Sequence, residues 1–456
     1  MPALPRLAVG AAQPHADALA MLWALAEVCE RHGLHVQNYL SRSCFVPRHG
    51  GTPLAASVRH LDSWLMSPEV CREIFVHGSR SCDLAVVEGR FDATHGGDAG
   101  GDLGGNVRGG SLDRLCQWLD LPRVVVLDVA DLDACRLPQR PAADALLLDR
   151  VGDAAQFARL QTRLESLWGM PVLGGLERLD EFRSTIGQFG IGQPPPRKLC
   201  RALGDSLARG LRLERLLALA SQRPFPDVTA DRLSAGQRLA EVSIAVAYDE
   251  VFNCYFPDTL DLLELQGAKV RTFSPLHDEC LPEGTDVVYL GCGHPENAGA
   301  RLAANQCMRT SLAEHVFTGG RVYAEGGGLA YLCESIDLGQ HGGSNCRVVP
   351  MAGLLPAVAR RRADAPPPAP VAGSLAQGHR RGEGWSQLRG YLNRRWELTP
   401  TGPLTRYAAE DGHELDLVGS AQAVGSRIHL NFAAQPEFLR AFFAPHPTGA
   451  ALSAIG

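Results

Sequence analysis

Short apolar runs alternate with helical patterns along the whole chain, and this alternation restricts its fold more than any other feature. The first series comprises LAVG (7–10) before a helix pattern reaching about His32, LAVVEG (84–89), RVVVLDV (123–129), ALLLDRVG (145–152) and PVLGGL (171–176). Strand runs separated by helix-length segments predict βαβ units and a parallel sheet. A second series follows residues 221–238: VSIAVAY (242–248), AKVRTFSP (268–275), DVVYLGCG (286–293) and GRVYAEG (320–326). A chain of 456 residues exceeds one ordinary core. We therefore expect an α/β domain over 1–225, a linker over 226–240 and a second α/β domain over 241–456. RIHLNFA (427–433) reads as a late strand, PPPR (194–197) as the end of a loop, and the Pro/Gly/Arg-rich 360–384 as an exposed, partly disordered loop.

Charge narrows the partners. With 44 basic and 50 acidic residues, net −6, there is no basic footprint for nucleic acid, and Arg360-Arg361-Arg362 is the one notable charge run. The apolar N-terminus is broken by His15, Asp17 and prolines, which makes it too polar for a signal peptide or a membrane span. Thirteen scattered cysteines without a C-x-x-C pair fit reduced thiols in a cytoplasm rather than a disulfide framework or zinc site. A small-molecule or protein partner is expected, and a homo-oligomer also fits.

The stretch VYAEGGGLAYL (322–332) runs a strand into three glycines and then a helix pattern. Such an elbow normally presents a nucleophile. Here its centre is Gly326.

Several strings, in order, resemble the cobyrinic acid a,c-diamide synthase family: RHLDSWLM (59–66), CDLAVVEG (82–89), GSLDRLCQWLDLPRVVVLDV (110–129), DRVG (149–152), CYFPDTLDLLELQGAKV (254–270), GCGHPENAGARLAANQCMR (291–309) and AEGGGLAYL (324–332). The resemblance implies a P-loop NTPase-like, dethiobiotin-synthetase-like domain followed by a flavodoxin-like class I glutamine amidotransferase domain. It implies glutamine hydrolysis in the second and ATP- and magnesium-dependent amidation of a tetrapyrrole acetate in the first.

Two constellations depart from that pattern. A phosphate loop needs glycines, a lysine and a hydroxyl. The family's loop falls on residues 11–19, where Ala18 stands at the lysine position and Leu19 at the hydroxyl position, with Asp17 adding negative charge and Pro14 removing a donor. Like charges ~4 Å apart repel by about 4 kcal/mol at an effective dielectric of roughly 20. Asp62 and Glu88 match family carboxylates associated with substrate and metal handling, Glu88 being the metal candidate. Each is equally readable as a capping carboxylate, and so is Asp128. At the elbow the family's A-E-C-G-G-L becomes Ala324 to Leu329 with Gly326 at the nucleophile's place.

His429 takes the family's base position with nothing to serve, Asn431 replaces a second histidine, and Arg389 to Arg394 has lost the histidine and glutamate of R-G-H-E-F-H. Cys292 and Cys333, the latter read as lying on the elbow helix, are expected to be small packed residues rather than substitutes. The resulting expectation is a degenerate, noncatalytic paralogue acting as a tetrapyrrole-binding or partner-binding scaffold. An ammonia-dependent synthetase with an atypical nucleotide site is the alternative, so enzymatic status stays open at this point.

Overall fold

The computed structural model describes residues 4–11, 13, 16, 18–45, 58–91, 109–130, 132, 137–186, 195–226, 233, 239–339, 348–375, 386–408, 414–420 and 422–444. The chain divides into two compact units, Met1–Ala230 and Asp231–Gly456.

Among the described residues the first unit holds seven strands: β1 (Arg6–Ala11), β2 (Val36–Leu40), β3 (Arg59–His60), β4 (Leu84–Arg90), β5 (Arg123–Asp128), β6 (Ala145–Val151) and β7 (Val172–Glu177). They form one sheet in the order β3-β2-β4-β1-β5-β6-β7, and every pairing is parallel. β1 is buried along its whole length, as expected of a strand covered on both faces. The helix Leu19–Arg31 is apolar almost all round and buries ten of its residues, so it is a core helix rather than a surface one. Arg6 is fully buried in β1, yet its guanidinium donates to the carbonyls of Leu119 (2.8 Å), Pro224 (2.8 Å) and Arg223 (3.1 Å) and lies over the Phe225 ring. These partners offset the desolvation that burial imposes on its charge.

The second unit is built on a sheet in the order β18 (Thr405–Ala408), β19 (Glu414–Gly419), β20 (Ala423–Ser426), β11 (Arg321–Glu325), β10 (Val287–Leu290), β8 (Ser243–Ala247) and β9 (Lys269–Phe273). Its parallel part is β8, β9, β10, β11 and β20. β18 and β19 extend it antiparallel. A four-stranded sheet combines β12 (Cys333–Asp337), β13 (Val348–Pro350), β14 (Leu355–Arg361) and β17 (Trp396–Pro400) in the order β13-β12-β14-β17. β15 (Ala369–Leu375), β16 (Ser386–Leu392) and β21 (Ile428–His429) form an antiparallel third sheet.

The architecture is thus α/β with a parallel sheet in each unit. One expectation is corrected: much of 360–384 is not loop. Residues 360–361 end β14 and 369–375 form β15, while 376–385 lie outside the described residues. β15 pairs with β16 alone, and an edge strand tolerates a proline such as Pro370, whose missing N–H leaves no central ladder bond broken. Cys333 likewise opens β12, because the elbow helix is only Gly327–Leu332.

Candidate functional site

In the first unit, the strand order reverses at β1, which is flanked by β4 and β5. Ligands of open parallel sheets bind in the crevice beyond the carboxyl ends of the strands at such a switch point. Side chains tie the strand ends together at that edge. Gln13, just past β1, accepts from Asp128 N (2.7 Å) through Oε1 and donates to Asp128 O (3.1 Å) through Nε2, clasping the end of β5. Arg90, at the end of β4, donates to Gln13 O at 2.8 Å. Ala18 and Leu19 are both buried, each 5% exposed, at the start of the core helix. Pro14, His15 and Asp17 lie outside the described residues.

The carboxylates at this edge are engaged internally. Asp62 is fully buried and accepts from Ser43 N (2.9 Å), Trp64 N (2.9 Å) and Leu65 N (3.3 Å), the pattern of a residue that fixes its own turn. Asp128 accepts from both ends of the Arg150 guanidinium, and Arg150 sits at φ +57° where the β6–β7 register shifts. Asp149 is held by Arg183 at 2.9 and 2.5 Å; burial still pushes its carboxyl up, with Arg183 opposing. Glu88 is half-buried near the end of β4, opposite Val9 on one side and Leu40 on the other. Among the described residues no group of three or more His, Cys, Asp or Glu is placed to hold a metal ion. With no lysine or hydroxyl anywhere in residues 11–19 and with buried alanine and leucine in their places, these residues do not fit a magnesium-bound nucleoside triphosphate. Gln13, Arg90, Arg150 and Arg183 escaped the sequence reading because nothing in their local pattern says that they fold onto strand ends far away in the chain.

In the second unit the elbow is intact in geometry. β11 ends at Glu325, Gly326 has φ +51° and ψ −106°, and the helix Gly327–Leu332 begins at once. That conformation lies outside the regions open to ordinary L-residues and is the strained turn of a nucleophile elbow. Gly326 N donates to Ser426 O (2.8 Å), which ties the turn to the end of β20. The next two glycines serve packing: an added Cβ would lie 2.4 Å from Gly293 O at Gly327 and 2.4 Å from Leu290 O at Gly328.

A side chain at Gly326 would meet the Cys292 sulfur at 3.0 Å. Cys292 comes from the loop after β10 and is bridged to Cys254, whose N–H donates to Cys292 O (3.1 Å). Its thiol thus stands beside the space that a residue-326 thiol would use. It is not activated there, because burial, Glu325 and Cys254 hold its pKa well above the ordinary thiol value.

Glu325, which sequence reading passed over, is fully enclosed. Tyr323 Oη donates to it at 2.8 Å and Tyr289 Oη at 3.5 Å, while Cys292 Sγ lies 4.0 Å away. Burial pushes its carboxyl up to about 8, with the tyrosine hydroxyls pulling the other way.

His429 lies on β21, three residues beyond the strand that the elbow bonds. It is buried, burial lowers its pKa to about 4, and Asn393 Nδ2 is 3.3 Å from its Nε2. It is neutral at physiological pH. Asn431 caps its own turn, accepting from Ala433 N at 3.2 Å. The fold therefore brings Gly326, Cys292 and Glu325 together and sets the His429 strand beside them.

Parallel strands, an elbow at the carboxyl end of β11 and a histidine strand next to it define the framework of a glutamine amidotransferase domain. In agreement, the CobB/CobQ-like glutamine amidotransferase domain family matches residues 243–435. The chain is 30% identical over 355 residues to the cobyrinate a,c-diamide synthase of Syntrophotalea carbinolica, covering 73% of this chain and 74% of that one. It is 28% identical over 407 residues to the hydrogenobyrinate a,c-diamide synthase of Streptomyces coelicolor, covering 78% and 80%. The match to the cobyrinate a,c-diamide synthase of Dehalococcoides mccartyi strain 195 is 29% over 293 residues and spans 61% of this chain and 62% of that protein's length. A solved glutamine amidotransferase aligns at 19% identity and a TM-score of 0.33, over 44% of this chain and 96% of its own. The chain belongs to the cobyrinate a,c-diamide synthase family.

Proposed function

We propose that this chain keeps the family's scaffold without its catalysis and serves as a noncatalytic binding protein, its ligand being a tetrapyrrole acid of the kind its relatives' names denote. The observation that carries this reading is the elbow. Its strained turn, packed glycines and strand partners all persist, while the nucleophile is absent and the Cys292 thiol crowds its space. A covalent route to ammonia needs a thiolate on the turn with a base within hydrogen-bond reach. The thiol nearest the turn is held protonated, and the histidine at the base position is buried against Asn393. The first unit supports the same reading, because Gln13 and arginines engage the strand-end groups of Asp128 and Asp149 in internal bonds.

The test is to incubate the purified full chain with glutamine, with and without MgATP and a corrinoid acid, and to measure ammonium release and the mass of the corrinoid. No release above the protein-free control and no amide product are expected, together with a saturable change in the corrinoid's visible spectrum on titration with protein. Amide formed from free ammonia and MgATP would establish the synthetase alternative and overturn the noncatalytic reading. A flat titration would remove the tetrapyrrole.

A further inference from the structure

The four-stranded sheet ends in a cavity of about 670 Å³ lined by Arg360, Arg361, Arg362, Asp364, Glu397 and Leu338 among others. That volume falls within the roughly 300–1,000 Å³ of small-molecule sites. Successive residues of a strand point to opposite faces, so three arginines in a row would ordinarily diverge. Here β14 stops at Arg361 and the chain turns at Ala363 and Asp364, so that all three border one space. Their charge is only partly answered. Arg361 Nε is 3.5 Å from Glu296 Oε1, a carboxylate already paired with Arg395. Arg362 Nε is 3.6 Å from Asp364, whose side chain is 84% exposed, and among the described residues Arg360 makes no ion pair. The lining thus sets three guanidinium groups against the carboxylates of Asp364 and Glu397.

We propose that this cavity binds a small molecule bearing two or more acidic oxyanion groups, carboxylate or phosphate, gripped by the guanidinium forks of Arg360 and Arg362. Guanidinium matches carboxylate in a planar, two-point geometry. Phosphate oxygens accept the same two-point grip. Arg361, anchored on Glu296, links the cavity wall to the GCGHPE loop that supplies Cys292. The proposal stands apart from the loss of catalysis, since Arg360 and Arg362 belong to neither the elbow nor the crevice of the first unit.

The experiment is calorimetric titration of the full chain with propane-1,2,3-tricarboxylate, with acetate and pyrophosphate as comparison probes. Saturable one-to-one binding of the tricarboxylate is expected, weakened about tenfold or more by Arg360→Gln with Arg362→Gln at an unchanged melting temperature. Arg360→Lys, which keeps charge but not the fork, should fall in between. Absence of saturation by the tricarboxylate and by pyrophosphate alike, or equal affinity in the Gln double variant, would overturn the proposal, and the tighter of the two probes identifies the oxyanion. Wild-type affinity in Arg360→Lys would overturn the fork.

Discussion

At the residue scale, Gly326 and Cys292 act as a pair. A cysteine introduced at 326 places its Cβ 3.0 Å from the Cys292 sulfur, so Gly326→Cys alone should give a crowded thiol that is not alkylated by an electrophilic glutamine analogue. Adding Cys292→Ala removes the obstacle and the competing sulfur, and the double variant should label at residue 326, as peptide mass mapping would reveal. Glu325 yields a prediction about pH. Its pKa is raised from an ordinary 4.5 to about 8, so the folded state holds a proton that the unfolded chain has released. Its contribution is fully present below about pH 4.5 and is lost as pH rises through about 8. Glu325→Gln should therefore flatten the alkaline decline in melting temperature, an effect on the order of a few kcal/mol. His429, lowered from 6.5 to about 4, has the opposite sign: its contribution is present above about pH 6.5 and lost as pH falls through about 4. His429→Gln should flatten the acid limb. Gly326 was legible in sequence as the centre of a strand-to-helix elbow, whereas the Cys292 sulfur beside it was not, because that contact joins loops 34 residues apart.

At the element scale, strands and elbow were readable because apolar runs bounded by helix patterns carry their own signal. The elbow's second and third glycines turn out to be packing residues, with no positive φ at either, and their need for small side chains comes from carbonyls at the end of β10 and in the loop after it. Gly327→Ala should destabilise by about 1–3 kcal/mol, read as a lower urea midpoint with an unchanged slope. The arginine- and proline-rich run shows the reverse case. Its composition resembles a loop, but cross-strand pairing of β14 with β17 and of β15 with β16 overrides that local tendency.

At the scale of the whole molecule, the first unit retains the seven-stranded parallel sheet of a nucleotide-binding fold, with Gln13 tying the end of β1 to β5 and Arg90 tying β4 to Gln13. A ligand present at a hundred times its Kd stabilises by about 2.7 kcal/mol, so millimolar MgATP should leave the melting temperature of this chain within roughly 1 °C of its ligand-free value. Among the described residues no helix is long and apolar enough to cross a membrane. The sequence by itself determined the two α/β halves, the order of their strands along the chain and the residue types at positions 18, 19 and 326, because periodicity and residue type are local properties. Only the tertiary structure decided what stands in the vacated places: Gln13 and Arg90 across the crevice, arginines on Asp128 and Asp149, the Cys292 sulfur beside the elbow, and three arginines around one cavity. Those contacts depend on which loops parallel strands bring to the same edge, and distance in space across a sheet is not written in distance along the chain.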